Sequence, residues 1–339
     1  MSQEHQPELL AIGRVSVDMY PEQVGTSLAD VSTYRSAVGG TATNVAVAAA
    51  RLGHRAAIVT KVGNDPLGGF VRTALDRFGV DTAGVGTHPD LPTPVVFVEL
   101  DPPSEPSIWF YRRPSAPDEH LTMDDIDLDL VRSVPVLWIP GSRMAWEPSA
   151  STIVEVLRAR ARRAHTVLDL DYRPMFWSSA AEAGRAIGSL LEFATVAVGN
   201  RDECDIAVAT RHPHLAAQRM IDRGVSLAIV KMGADGVLAV GADGSSVVVP
   251  PTPVDVVCGL GAGDAFGGSL VHGLLTGASP EDMMVRANAA GAIVASRLMC
   301  SDDMPTSAEI DEMLETGVPP ARQHHQHPTN DTQQDSEQR

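Results

Sequence analysis

"CGLGAGDAFGGSL" runs from Cys258 to Leu270 and packs five glycines and one acid, Asp264, into thirteen residues. Such stretches form tight turns, close backbone approaches or flexible linkers. A P-loop requires G-x-x-x-x-G-K-[ST], and neither of the chain's two lysines, Lys61 and Lys231, follows a glycine. A dinucleotide fingerprint counted from Gly259 puts Asp264 where its third glycine belongs, and an acid there repels pyrophosphate. No G-x-S-x-G nucleophile elbow occurs. Phe266, Leu270 and Leu274 instead recur at helical spacing, which predicts a helix starting near Ala262. The amides of Gly261, Ala262 and Gly263 are then the free N–H groups of a helix start, which attract anions. Asp264 falls in the first turn, where its ionised form is favoured. Two roles stay open from spacing alone. It is either a helix-start acid or a base that takes a proton from a hydroxyl as that oxygen attacks phosphorus.

Outward from this stretch, short apolar runs alternate with helical patterns. Strands are expected at 9–13, 56–63, 136–141, 166–171, 195–200 and 227–233. Helices are expected at 41–53, 65–80, about 148–164, about 180–192, about 213–223, about 262–276 and 280–298. Unbroken apolar strands between helices predict an α/β fold whose mostly parallel sheet is covered on both faces. Residues 14–38 and 92–115 interrupt the alternation with β-like runs, two of them joined by "DPPSEP" (101–106), which is turn chemistry. These two stretches are expected to form a small second sheet that projects as a lid. The polar ends, 1–7 and 320–339, lack apolar period and are expected to be disordered.

The net charge of −17, from 26 basic and 43 acidic residues, argues against nucleic acid or anionic membrane as a partner. Three cysteines without a C-x-x-C argue for a reducing compartment. With no signal-peptide pattern and no run of 18 apolar residues, a cytoplasmic protein is expected.

"GAGDAFGG" (261–268) resembles the C-terminal signature of the ribokinase-like (pfkB) carbohydrate kinases, and "VGGTATNVAVAAARLG" (38–53) resembles their N-terminal glycine-pair signature. The resemblance covers residues 8–316. It implies a three-layer α/β/α domain with a β-sheet lid and transfer of the ATP γ-phosphoryl to a sugar hydroxyl. Asp264 matches the general base, and Gly261, Ala262 and Gly263 match the anion hole. Asp18, Gly39, Gly40 and Asn44 match positions that hold sugar hydroxyls. Asn200 and Glu203, in "NRDE", match an element near magnesium, with Glu203 acting through bound water. Lys231, Gly233 and Gly236, in "KMGADGV", match the nucleotide-lining turn, and Asn288 matches a residue near adenine; a helix-surface asparagine is its plain alternative. One position departs: Cys258 stands where the signature carries an acid beside a monovalent-cation site. Cysteine is a poor ligand for a hard cation, which argues against potassium activation.

"LDLDYRPMFW" (168–177) resembles the branch that phosphorylates 5-dehydro-2-deoxygluconate, and "FYRRPSAPD" (110–118) resembles lids of kinases for ketodeoxy sugar acids. An acidic substrate needs a cation, and Arg112 and Arg173 are the candidates; a solvated lid residue and a loop cap are the alternatives. Behind this substrate stand 2-keto-3-deoxygluconate, ribose and fructose. The reading from a different class is a catalytically silent sugar-binding regulator, against which the intact Asp264 argues. The exposed lid edges predict a homodimer.

Overall fold

The computed structural model describes residues 6–101, 106–163 and 165–321. The tail readings at 1–5 and 322–339, and the centre of the 101–106 turn, lie outside the described residues. Where the tails are described they are engaged: Arg55 donates to the Gln6 carbonyl at 2.8 Å and Arg297 to the Pro320 carbonyl at 3.3 Å.

The first half of the chain contains β1 (Leu9–Ile12), β2 (Ser16–Pro21), β3 (Tyr34–Gly39), α1 (Thr41–Arg51), β4 (Ala56–Gly63), α2 (Pro66–Arg77) and β5 (Val85–His88). It continues through β6 (Val95–Glu99), β7 (Ser107–Tyr111), α3 (Leu128–Ser133), β8 (Val136–Pro140), α4 (Ser149–Arg160) and β9 (His165–Asp169). The second half contains α5 (Ala180–Ser189), β10 (Val196–Asn200), α6 (Arg201–Val208), α7 (Pro213–Ile221), β11 (Leu227–Lys231), β12 (Val237–Gly241) and β13 (Ser246–Val249). It ends with α8 (Ala262–Thr276), α9 (Pro280–Ala295) and α10 (Ser307–Thr316).

Nine strands form one sheet in the order β13-β12-β11-β10-β9-β8-β1-β4-β5. All pairings are parallel except β11 with β12 and β12 with β13. Side chains alternate between the faces of a strand, and β1 shows the result. Leu9 and Ala11 join the core under α1, α2, α8, α9 and α10, while Leu10 and Ile12 join the core under α3 to α7. The architecture is therefore the three-layer α/β/α sandwich of the ribokinase-like fold. Helix α8 departs from a one-sided pattern: Ala265 to Val271 are all buried, while Leu274 is only partly so. Apolar and glycine residues all round fit a helix packed between neighbours, here α1 and α9.

The two interrupting stretches form a separate four-stranded sheet, β3-β2-β6-β7. Along β7, Ile108 and Phe110 face inward, and Trp109 and Tyr111 face out. Two of the lid's attachments meet at one carboxylate. Asp118 accepts from the Val15 amide, just before β2, at 3.1 Å, and from Arg112, just after β7, at 2.5 Å. Arg112 also donates to Glu119 at 2.9 Å and is buried at 7% exposure. The guanidinium expected to meet a substrate carboxylate is thus paired with two carboxylates of the chain itself.

Candidate active site

Between the lid and the edge of the main sheet lies a cavity whose wall includes Arg14, Ser16, Asp18, Asn44, Arg173 and Asp264. Gly40, Thr41, Leu260, Cys300 and the lid residues Val96, Ile108 and Phe110 complete it. Residues drawn from both signatures thus meet across 220 positions of sequence: Asn44 Nδ2 donates to Asp264 Oδ2 at 2.7 Å. Ser301 Oγ lies 2.6 Å from Asn44 Oδ1, which orients the amide so that its NH₂ faces Asp264.

The glycine pair has a specific steric basis. A Cβ on Gly39 would lie 1.9 Å from Asp18 Oδ2, so Gly39 makes room for the Asp18 carboxylate. Gly40 has φ of 107° and abuts the Arg14 carbonyl, where a Cβ would come within 2.3 Å. The close approaches accommodate the Asp18 side chain and the Arg14–Val15 backbone, and Gly40 also lines the cavity. Gly261 caps α8 at φ of 83° without a capping side chain, and leaves the first amides of the helix without intrahelical acceptors.

Burial dominates the electrostatics. It pushes Asp264 up to about 6, against the Asn44 hydrogen bond and Arg173, which lower it. It pushes Asp18 to about 6 as well, against the hydrogen bond from Ser16 at 2.6 Å. Asp169 is likewise raised by burial, opposed first by Lys231. Asp171 goes the other way: burial raises it, but Arg173 at 2.9 Å, Arg14 at 3.3 Å and the Ser142 hydroxyl outweigh that and hold it low. Asp171 also adopts φ of 33°, uncommon for a residue with a side chain, and its partners hold it there.

Beside this cavity runs a second group of expected residues. Asn200 and Lys231 are register partners on β10 and β11. Asn200 caps α6, and the Glu203 carboxylate accepts from the Asn200 backbone amide at 2.6 Å. Burial lowers the Lys231 ammonium, but Glu203, Asp169 and Asp264 outweigh it and raise the group. A Cβ on Gly263 would lie 3.2 Å from Lys231 Nζ, so this lysine faces the helix start. Gly236, at φ of 87°, abuts the Val249 carbonyl, and Asn288 donates to the neighbouring Pro250 carbonyl at 2.9 Å. Gly233 needs its φ of 63° but faces open space. Among the described residues no three His, Cys, Asp or Glu side chains are grouped to hold a metal ion directly. Cys258 is buried, its amide bonded to the Ala295 carbonyl at 3.1 Å.

The cavity also contains Arg14, which no sequence pattern singles out. An arginine one residue past a strand reads as solvated, and its cavity position depends on Asp171, 157 residues away.

A family model described as pfkB family carbohydrate kinase matches residues 6–307. A 5-dehydro-2-deoxygluconokinase of Clostridium beijerinckii is 32% identical over 311 residues, covering 88% of this chain and 90% of the relative. One of Geobacillus kaustophilus is 31% identical, covering 91% and 93%. A fructokinase of Vibrio cholerae, solved with fructose, ADP and calcium ion, superposes with TM-score 0.78 at 27% identity, covering 90% of this chain and 98% of its own. A fructokinase of Xylella fastidiosa with bound ATP gives TM-score 0.79 at 24% identity, covering 91% and 98%, which bears on the fold alone. With the two signatures meeting in one cavity under a β-sheet lid, the chain belongs to the pfkB family of carbohydrate kinases.

Proposed function

We propose that this protein transfers the γ-phosphoryl of ATP to a hydroxyl of a sugar acid, with 5-dehydro-2-deoxy-D-gluconate as the acceptor. The observation that carries the reading is the pairing of Asp264 with Asn44 at the start of α8, in a cavity that also holds Asp18 and two guanidiniums. The acceptor hydroxyl lies against Asp264 Oδ, held by Asp18 and Asn44. Asp264 takes the proton as the oxygen attacks phosphorus. The amides of Gly261, Ala262 and Gly263 stabilise charge on the transferring group, with Lys231 beside them. The raised carboxyl of Asp264 suits proton abstraction, being ionised at neutral pH yet more basic than an exposed aspartate. Glu203 would hold a magnesium ion through bound water, and that ion would supply further charge neutralisation on the phosphates. Asn200, Gly233, Gly236 and Asn288 line the nucleotide side.

Arg173 supplies the cation for an acidic acceptor. The names of the curated relatives support this acceptor over 2-keto-3-deoxygluconate, ribose or fructose. The intact base and helix start favour a kinase over a silent binding protein. The reading places the protein in the cytoplasm, supported by three free buried cysteines and by the lack of any helix, among the described residues, long and apolar enough to cross a membrane. It also includes a second copy of the chain against the outer lid face, where Trp109 is 53% and Tyr111 64% exposed. An ATP-consumption screen over sugar acids and neutral sugars, with and without magnesium, tests the reading. Turnover of neutral sugars alone would refute the acidic acceptor.

A further inference from the structure

Arg14 lines the cavity and takes no part in the proton or phosphoryl transfer. It is 5% exposed. Its Nη2 donates to Thr41 Oγ1 at 2.9 Å and to Asp171 Oδ2 at 3.3 Å. Its buried Nε has no hydrogen-bond partner. The guanidinium carbon lies 5.1 Å from the Phe176 ring centroid and 5.9 Å from that of Phe110. Phe110 belongs to the lid and Phe176 to the main domain, and their rings meet edge-on at 5.1 Å. Arg14 is therefore roofed by aromatic faces from both bodies.

The local charge balance is uneven. Asp171 is one carboxylate shared by two guanidiniums, Arg14 at 3.3 Å and Arg173 at 2.9 Å. Asp118, a second acid near Arg14, is committed to Arg112 and Arg143. This end of the cavity thus has two guanidiniums on one carboxylate and a desolvated donor without an acceptor, an arrangement that is costly unless a ligand satisfies it. The other end carries Asp18, Asp264 and Asn44, a set suited to hydroxyls.

We infer that Arg14 is the residue that selects an acidic acceptor: its free Nε and the adjacent Arg173 receive the substrate carboxylate. The acceptor is then a polyhydroxy acid, bound with its carboxylate at the Arg14 end and its reacting hydroxyl at Asp264. A planar guanidinium suits a carboxylate better than an ammonium does, and stacking on aromatic faces fixes its plane. The inference rests on the sugar-acid kinase reading above.

Steady-state kinetics on the full chain test it, using 5-dehydro-2-deoxygluconate and fructose as acidic and neutral acceptors. Arg14→Gln should raise KM for the acid by about 10- to 100-fold, the worth of a charged hydrogen bond. The kcat for the acid and the KM for ATP should stay within about threefold, because neither rests on the carboxylate contact. The preference for acid over fructose, as a ratio of kcat/KM, should fall by the same factor as the KM rises. Arg14→Lys, which keeps the charge but lacks the Nε donor, should lose part of that preference and keeps the test open if the glutamine variant fails to fold. An equal loss on both acceptors, or a collapse of kcat at unchanged KM, would overturn the inference and leave Arg14 a purely structural partner of Asp171 and Thr41. If the unaltered protein turns over fructose but not the acid, the sugar-acid reading fails and this inference with it. If it turns over the acid and the Arg14 variants lose no preference, this inference alone fails.

Discussion

Asp264→Asn separates the chemistry of the site from its stability. The substitution removes the proton acceptor but keeps an oxygen for the Asn44 NH₂, now 2.7 Å away. Loss of a positioned general base should lower kcat by about 100- to 10,000-fold, with KM for ATP little changed. The stability effect runs the other way. Burial raises the Asp264 carboxyl from the ordinary value of 3.8 to about 6. The folded state therefore binds the proton more tightly than the unfolded chain, and stability falls as pH rises through the window between those two values. Above it the buried charge costs the fold about 3 kcal/mol, from roughly two pH units at about 1.4 kcal/mol each. Asp264→Asn should recover most of that cost at pH 8 and about half of it at pH 5. Urea unfolding at both values reads the difference, and a coupled ADP assay reads kcat. The unaltered protein should also lose kcat/KM below pH 6, where Asp264 gains its proton. A variant that retains near-normal kcat, or one that is no more stable at pH 8 than at pH 5 relative to its parent, would refute the assignment of Asp264 as a strained, buried base.

Other perturbations follow from the same geometry. Gly39→Ala puts a Cβ 1.9 Å from Asp18 Oδ2 and should displace that carboxylate, raising KM for the sugar acceptor at least about tenfold while sparing KM for ATP. Arg112→Ala leaves Asp118 and Glu119 buried without their partner and should destabilise the protein by about 3–5 kcal/mol in urea unfolding. It should not alter the preference for acidic over neutral acceptors, in contrast to Arg14→Gln. Replacing potassium by tetramethylammonium should leave the rate of the unaltered protein unchanged, since Cys258 is a buried thiol that burial pushes upward. Marked potassium activation would show that backbone carbonyls alone suffice there.

The legible part of the fold was the part written in local pattern. Strands such as β8 and β10 are unbroken apolar runs, and helices such as α2 carry their own punctuation, with Pro66 in the first turn and Asp65 capping it. The lid was legible as an interruption of that rhythm. The short elements β5 and α6 and the β12–β13 hairpin were not, because four to eight residues give too little periodicity to separate from loop. In the site, Asp264 stood out because a lone acid among glycines is chemically odd. The settings of Arg112 and Arg14 were not legible, for one reason. What a guanidinium does depends on which carboxylates reach it, and Asp118 lies in an unpatterned turn while Asp171 sits far along the chain. Charge pairing across the fold leaves no periodic trace.

The meeting of Val15 and Arg112 at Asp118 has a mechanical consequence. The lid is built from two separated pieces of chain, so it could in principle work as two independent straps. A single carboxylate that grips the approach to one piece and the exit from the other makes them share a pivot. Val15 is also the residue after Arg14, so a rotation about that pivot reaches the cavity wall through one peptide bond. The two lid attachments and the cavity-wall cation are thereby tied together through one carboxylate and one peptide bond.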